Sequence, residues 1–146
     1  MLNNKWFVLA GSTFIFLAGL CAGSLLQSGI AHAQASKHVF ELRTYTAPEG
    51  KLGELHARFR DHTIRIFNKH DMTSIGYWIP QDAPLSQNTL VYVLAHPSRE
   101  DAKKNWAAFQ ADPEWVKAKA ESEKDGKIVE KAESVFMDPA DFSQIK

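Results

Sequence analysis

Glu41, Arg43 and Tyr45 stand at every second position of the segment HVFELRTYT, His38 to Thr46. A period of two puts all three on one face of a strand, with Phe40, Leu42 and Thr44 on the other. An acid, a guanidinium and a phenol side by side can close on one another as an ion pair capped by the tyrosine hydroxyl. Partly buried charges need that kind of pairing. Alternatively, Arg43 offers its fork to an anion or a polarised carbonyl, and Tyr45 moves a proton nearby. Either face of the sheet fits the pattern. Facing helices, the three would line a pocket; facing away, they would lie in a dimer core.

Two further residues have the right chemistry. His62 sits in a helical segment from which an imidazole can reach over a sheet edge as proton donor or acceptor. Its plainer reading is a boundary histidine. Trp78, beside Gly76, is either core or interface, or a stacking wall for an aromatic ligand. His56 and His62 fall on opposite flanks of their helix and cannot share one metal, so no metal is expected. No G-x-S-x-G, phosphate-cradling glycine loop or H-E-x-x-H is present, and no cofactor is implied.

The elements that must position these residues follow from periodicity. After the first strand, Ala47-Pro48-Glu49-Gly50 breaks the chain. Leu52, Leu55, Phe59, Thr63, Ile66 and Phe67 then recur every three or four residues as the buried stripe of a helix. Met72 to Ile79 reads as a second strand stopped by Pro80. Thr89 to His96 (TLVYVLAH) is a central strand covered on both faces. Ser98 and Asp101 open a second helix in the manner of a capping box. Asp112-Pro113 should restart it after a break, with Asp112 as N-cap and Pro113 in the first turn. Lys127 to Phe136 alternates as the last strand. The order β-α-β-β-α-β predicts an α+β, ferredoxin-like fold: a four-stranded antiparallel sheet with helices on one face. The uncovered face is apolar enough to require a cover, and a second copy of the chain is the expected one.

The first thirty-odd residues have a different purpose. Lys5 precedes a run without charge, apolar from Trp6 to Leu26, that leads to two overlapping A-x-A patterns at Ala31 to Ala35. This is the form of a secretory signal peptide spanning residues 1–33, which leaves a domain of residues 34–146. The alternative is an uncleaved inner-membrane anchor formed by residues 6–26, the only membrane contact expected. A periplasmic or secreted domain follows from the first reading. Removing the segment takes away Cys21, the single cysteine, so no disulfide can hold the exported domain.

The whole chain of 146 residues balances 17 basic against 17 acidic side chains. Loss of Lys5 leaves 16 against 17, a net charge of −1. That neutrality argues against a nucleic-acid partner. With 45% hydrophobic residues, it also argues against a disordered acidic tail.

In order and spacing, Glu41-Leu42-Arg43-Thr44-Tyr45, the Gly50-Lys51 turn, His62, Gly76-Tyr77-Trp78 and Asp112-Pro113-Glu114-Trp115 resemble a NIPSNAP domain. The resemblance runs from about Val39 to Phe142, and the tail Pro139 to Ser143 is similar to the way such domains finish. It implies a dimeric α+β barrel, the superfamily that also holds small cofactor-free monooxygenases and heme-binding enzymes. NIPSNAP domains themselves have no defined catalytic activity. Eukaryotic members are mitochondrial proteins linked to vesicle traffic and mitophagy. This sequence departs from them in its secretory signal and single domain, so the fold carries over and those roles do not.

The expected function is therefore an exported homodimeric module that binds a small molecule or a partner. The alternative is a cofactor-independent monooxygenase or isomerase acting on a small aromatic or ketonic substrate. There Arg43 would orient an oxyanion, Tyr45 or His62 would move a proton, and Trp78 would wall the pocket.

Overall fold

The computed structural model describes residues 38–146. The expected signal or anchor segment lies outside the described residues. Four strands form one antiparallel sheet in the order β2-β3-β1-β4: β1 Val39–Thr46, β2 Thr73–Trp78, β3 Thr89–His96 and β4 Lys131–Met137. The two most apolar strands, β1 and β3, are central and pair over their full length, from Val39 with His96 to Thr46 with Thr89. The less apolar β2 and β4 take the edges. This is the α+β, ferredoxin-like arrangement that the element order predicts.

The first helical segment differs from a continuous α-helix. It runs as α1 Leu52–Arg58, a π-helical turn at Phe59–Thr63, and α2 Ile64–Lys69. The cause lies in the stripe itself. Leu55 to Phe59 and Phe59 to Thr63 are both steps of four, and each overshoots a full turn by about 40° at 100° per residue. The wider turn returns that rotation, so Leu55, Phe59, Thr63, Ile66 and Phe67 all stay buried. Inside the turn, Thr63 Oγ1 donates to the Arg58 carbonyl at 3.2 Å.

The second helical segment breaks where proline demands it. α3 Arg99–Ala111 begins with Asp101 N–H donating to Ser98 Oγ at 3.0 Å. Asp112 is extended, its Oδ1 accepts from the Glu114 N–H at 2.7 Å, and Pro113 opens α4 Pro113–Ser122. Asp112 is itself buried and also holds Lys69 and His70 at 2.8 and 2.7 Å. It therefore clamps the end of α2 as well as starting α4. Those two partners hold its carboxyl below the usual carboxylate range.

β4 begins later than its alternation suggests. Ile128 is fully buried and turns into the core, while the Glu130 N–H donates to the Thr46 carbonyl at 2.8 Å. Ladder pairing starts only at Lys131, opposite Thr46. The core lies between the sheet and the helices, built around Phe59, Phe67, Tyr92, Leu94 and Phe109. Edge-to-face rings link it: Phe59 on Tyr92 at 5.2 Å, and Phe67 on Trp106 at 5.5 Å.

Pairing register assigns the paired strand residues to a face, Ile75 alone standing at an irregularity between Ser74 and Gly76. Phe40, Leu42 and Thr44 lie opposite Ala95, Val93 and Val91, and opposite Met137, Val135 and Glu133. That set faces away from the helices. Ile75, Trp78 and Val135 are substantially exposed there. The tail beyond β4 crosses part of this face with Phe142 and Ile145, which are also exposed. No helix among the described residues is long and apolar enough to cross a membrane.

Candidate functional site

The odd residues of β1 face the helices and meet in one polar network. Glu41 is 1% exposed and accepts four hydrogen bonds. Ser134 Oγ of β4 donates to Oε1 at 2.6 Å, and Arg43 Nη1 to the same oxygen at 2.9 Å. Trp106 Nε1 of α3 donates to Oε2 at 2.7 Å, and His96 Nε2 of β3 to that oxygen at 3.1 Å. An ionised carboxylate only accepts, so this contact places the His96 proton on Nε2.

Burial alone would push the Glu41 carboxyl up. The four donors (His96, Ser134, Trp106 and Arg43) outweigh burial and hold it at about 2. Such a group is a carboxylate at any physiological pH and a poor proton carrier. It is a fixed negative charge that orients its neighbours.

Arg43 is equally committed. Nη1 serves Glu41, Nη2 donates to Tyr45 Oη at 3.1 Å, and the guanidinium lies 4.5 Å from the Trp106 ring centre. Tyr45 in turn packs edge-on against Phe59 and Tyr92, at 5.9 and 5.3 Å. Burial pushes the Tyr77 and Tyr92 hydroxyls up, so neither is a base at neutral pH. Three buried atoms here have no partner: Arg43 Nε, His96 Nδ1 and Tyr92 Oη.

The five residues singled out in the sequence thus separate. Glu41, Arg43 and Tyr45 come together on the helix-facing side. His62 is exposed on the outer side of the π-turn, in a groove with Asp61, Ala118 and Glu121. Trp78 lies on the opposite face of the sheet, folded across Gly76 and half exposed. His96, Trp106 and Ser134 complete the network although the sequence did not single them out as site residues. His96 carries a legible signal, since it continues the alternation Tyr92, Leu94, His96 on the buried face of β3. Ser134 carries none.

A separate cavity of about 270 Å³ opens between the helices and the β2 side of the sheet. His56, Arg60 and Ile64, each four residues apart, form its helical wall. Tyr77, Ile79 and Leu90 form the opposite wall, with Phe59 between them. The Tyr77 hydroxyl is engaged with Ser74 Oγ at 2.6 Å, so it presents mainly its ring. His56 Nε2 is covered and unpartnered, and burial, then the nearby Arg60 cation, pushes the imidazole pKa down. Among the described residues, no group of three or more His, Cys, Asp or Glu side chains is placed to hold a metal ion.

Comparison with known proteins places this geometry. The sequence model of the family described as NIPSNAP matches residues 40–144. A NIPSNAP family protein of unknown function from Agrobacterium tumefaciens is 28% identical, with a TM-score of 0.66 over 77% of this chain and 96% of its own. A second family protein from that organism is 23% identical, with a TM-score of 0.65 over 75% of this chain and 99% of its own. An uncharacterised NIPSNAP-like domain protein from Burkholderia xenovorans is 22% identical, with a TM-score of 0.64 over 74% and 90%. No curated protein matches the chain.

Proposed function

The chain belongs to the NIPSNAP family, and from that membership we propose an exported, homodimeric binding module that takes up a small apolar molecule. The contrast between the polar network and the cavity carries this reading. Around Glu41 four donors converge on one carboxylate, and its charge is matched by the Arg43 guanidinium, so the network holds β1, β3, β4 and α3 together as a structural unit. The cavity has the opposite character: its walls are mostly apolar, with His56 and Arg60 as their polar groups, and no side chain fills it. Apolar walls with a few polar groups are the usual form of a small-molecule site.

The apolar outer face of the sheet supports the homodimer. Leu42, Val93, Ile75, Trp78 and Val135 share this face, and Ile75, Trp78 and Val135 are exposed on it, as at surfaces that meet a partner. A second copy related by a two-fold axis offers the same patch and covers it. Export rests on the N-terminal pattern alone.

Native mass spectrometry of the chain expressed with its own N-terminus tests all three parts. The expected result is a dimer that has lost about 33 residues and carries a small molecule. Val135→Lys should yield a folded monomer. A wild-type monomer would remove the dimer, and full-length mass in the exported fraction would remove the cleavage. Failure of every small apolar compound to bind would remove the module.

A further inference from the structure

We infer that the cavity between the π-turn and β2 is selective for a small apolar acid: one ring or a short branched chain carrying a carboxylate. This rests on the binding reading above and adds the chemical class of the ligand. Size sets the first limit. A volume of about 270 Å³ lies at the small end of the range for ligand pockets. The walls given by Phe59, Ile64, Tyr77, Ile79 and Leu90 suit a flat or branched hydrocarbon body.

Charge sets the second limit. Arg60 lines the mouth, and among the described residues no acidic side chain is its salt-bridge partner. The other arginines of this helical segment, Arg58 and Arg65, do not line the cavity and are engaged with Glu123 at 2.8 Å and Glu114 at 2.5 Å. No Asp or Glu lines the cavity. A guanidinium beside an apolar hollow with no competing carboxylate favours an anionic head on an apolar body. His56 adds a second contact. Its Nε2 is covered and has no partner, and in the tautomer that carries the proton on Nε2 a carboxylate oxygen would satisfy it.

The backbone supplies an independent reason. Arg60 lies within the π-helical turn, and single π-turns inside α-helices recur at functional sites. This one keeps Phe59 in the core while Arg60 stays at the mouth, one turn beyond His56.

The probes are 4-fluorobenzoate and its uncharged analogue 4-fluorobenzyl alcohol, followed by fluorine NMR with the full chain, Arg60→Gln and Ile64→Trp. The expected result is that the acid binds more tightly than the alcohol. Arg60→Gln should weaken the acid about tenfold and leave the alcohol unchanged, as loss of a charged hydrogen bond predicts. Ile64→Trp, which fills the hollow, should weaken both. Equal binding of acid and alcohol, with no effect of Arg60→Gln, would overturn the acid class and leave the cavity as a neutral-ligand site. Binding of neither probe, or binding that Ile64→Trp does not change, would overturn the cavity itself.

Discussion

Trp106 Nε1 donates to Glu41 Oε2 at 2.7 Å, joining the middle of α3 to the central strand across 65 residues of sequence. The contact makes the indole a structural donor as well as a core ring. It also brings the Trp106 ring close enough for the Arg43 guanidinium to lie over it. Removing the carboxylate charge therefore reaches beyond one ion pair.

Glu41→Gln should destabilise the fold by about 3 kcal/mol, the cost of breaking a buried pair and leaving its cation uncompensated. The glutamine amide also turns an NH₂ toward groups that are themselves donors. Urea unfolding checks this. A loss below about 1 kcal/mol would mean that water replaces the missing acceptor.

Acid should act through the same residue. The folded pKa of Glu41, about 2, lies below its ordinary value of 4.5. Its stabilisation is thus complete above about pH 4.5 and is lost as the pH falls through about 2. Thermal midpoints measured across that window should fall for the wild type. The Glu41→Gln variant should lack this component of the fall, and parallel curves would assign the acid loss to other carboxylates.

Thr63→Val should cost about 1 kcal/mol, because it removes the buried hydroxyl that bonds to the Arg58 carbonyl within the π-turn. The methyl group retains the volume, which separates the bond from packing. Unchanged stability would show that the stripe alone sets the turn.

Gly76→Ala tests the outer face. A Cβ there would stand 2.8 Å from the Trp78 ring, whose far end is free to move. In the Val135→Lys monomer the expected outcome is a displaced, more solvated indole with red-shifted fluorescence and at most a small stability change. An unshifted spectrum would place the ring elsewhere in solution.

Much of this architecture can be read from residue spacing. Alternation in β1 assigns Glu41, Arg43 and Tyr45 to one face, and Ser98 and Asp112-Pro113 mark the starts of α3 and α4. Three features escape because they depend on the third dimension. His96 meets Glu41 only through the β1–β3 register, which pairs Val39 with His96. Ser134 meets it through the β1–β4 register, which sets that serine opposite Arg43. The π-turn is hidden because two steps of four still read as helix. His62 shows the converse: its residue type invites a chemical role, but the helix turns it outward.

The two sides of β1 are chemically opposite, apolar at Phe40 and Leu42, polar at Glu41 and Arg43. A slip of one residue would exchange them. The carboxylate would then face away from Trp106, His96 and Ser134, and Leu42 would be pushed among those donors. The Glu41 carboxylate thereby proofreads strand pairing: a misaligned sheet loses its three donors from other elements at once, whereas the correct alignment satisfies them together.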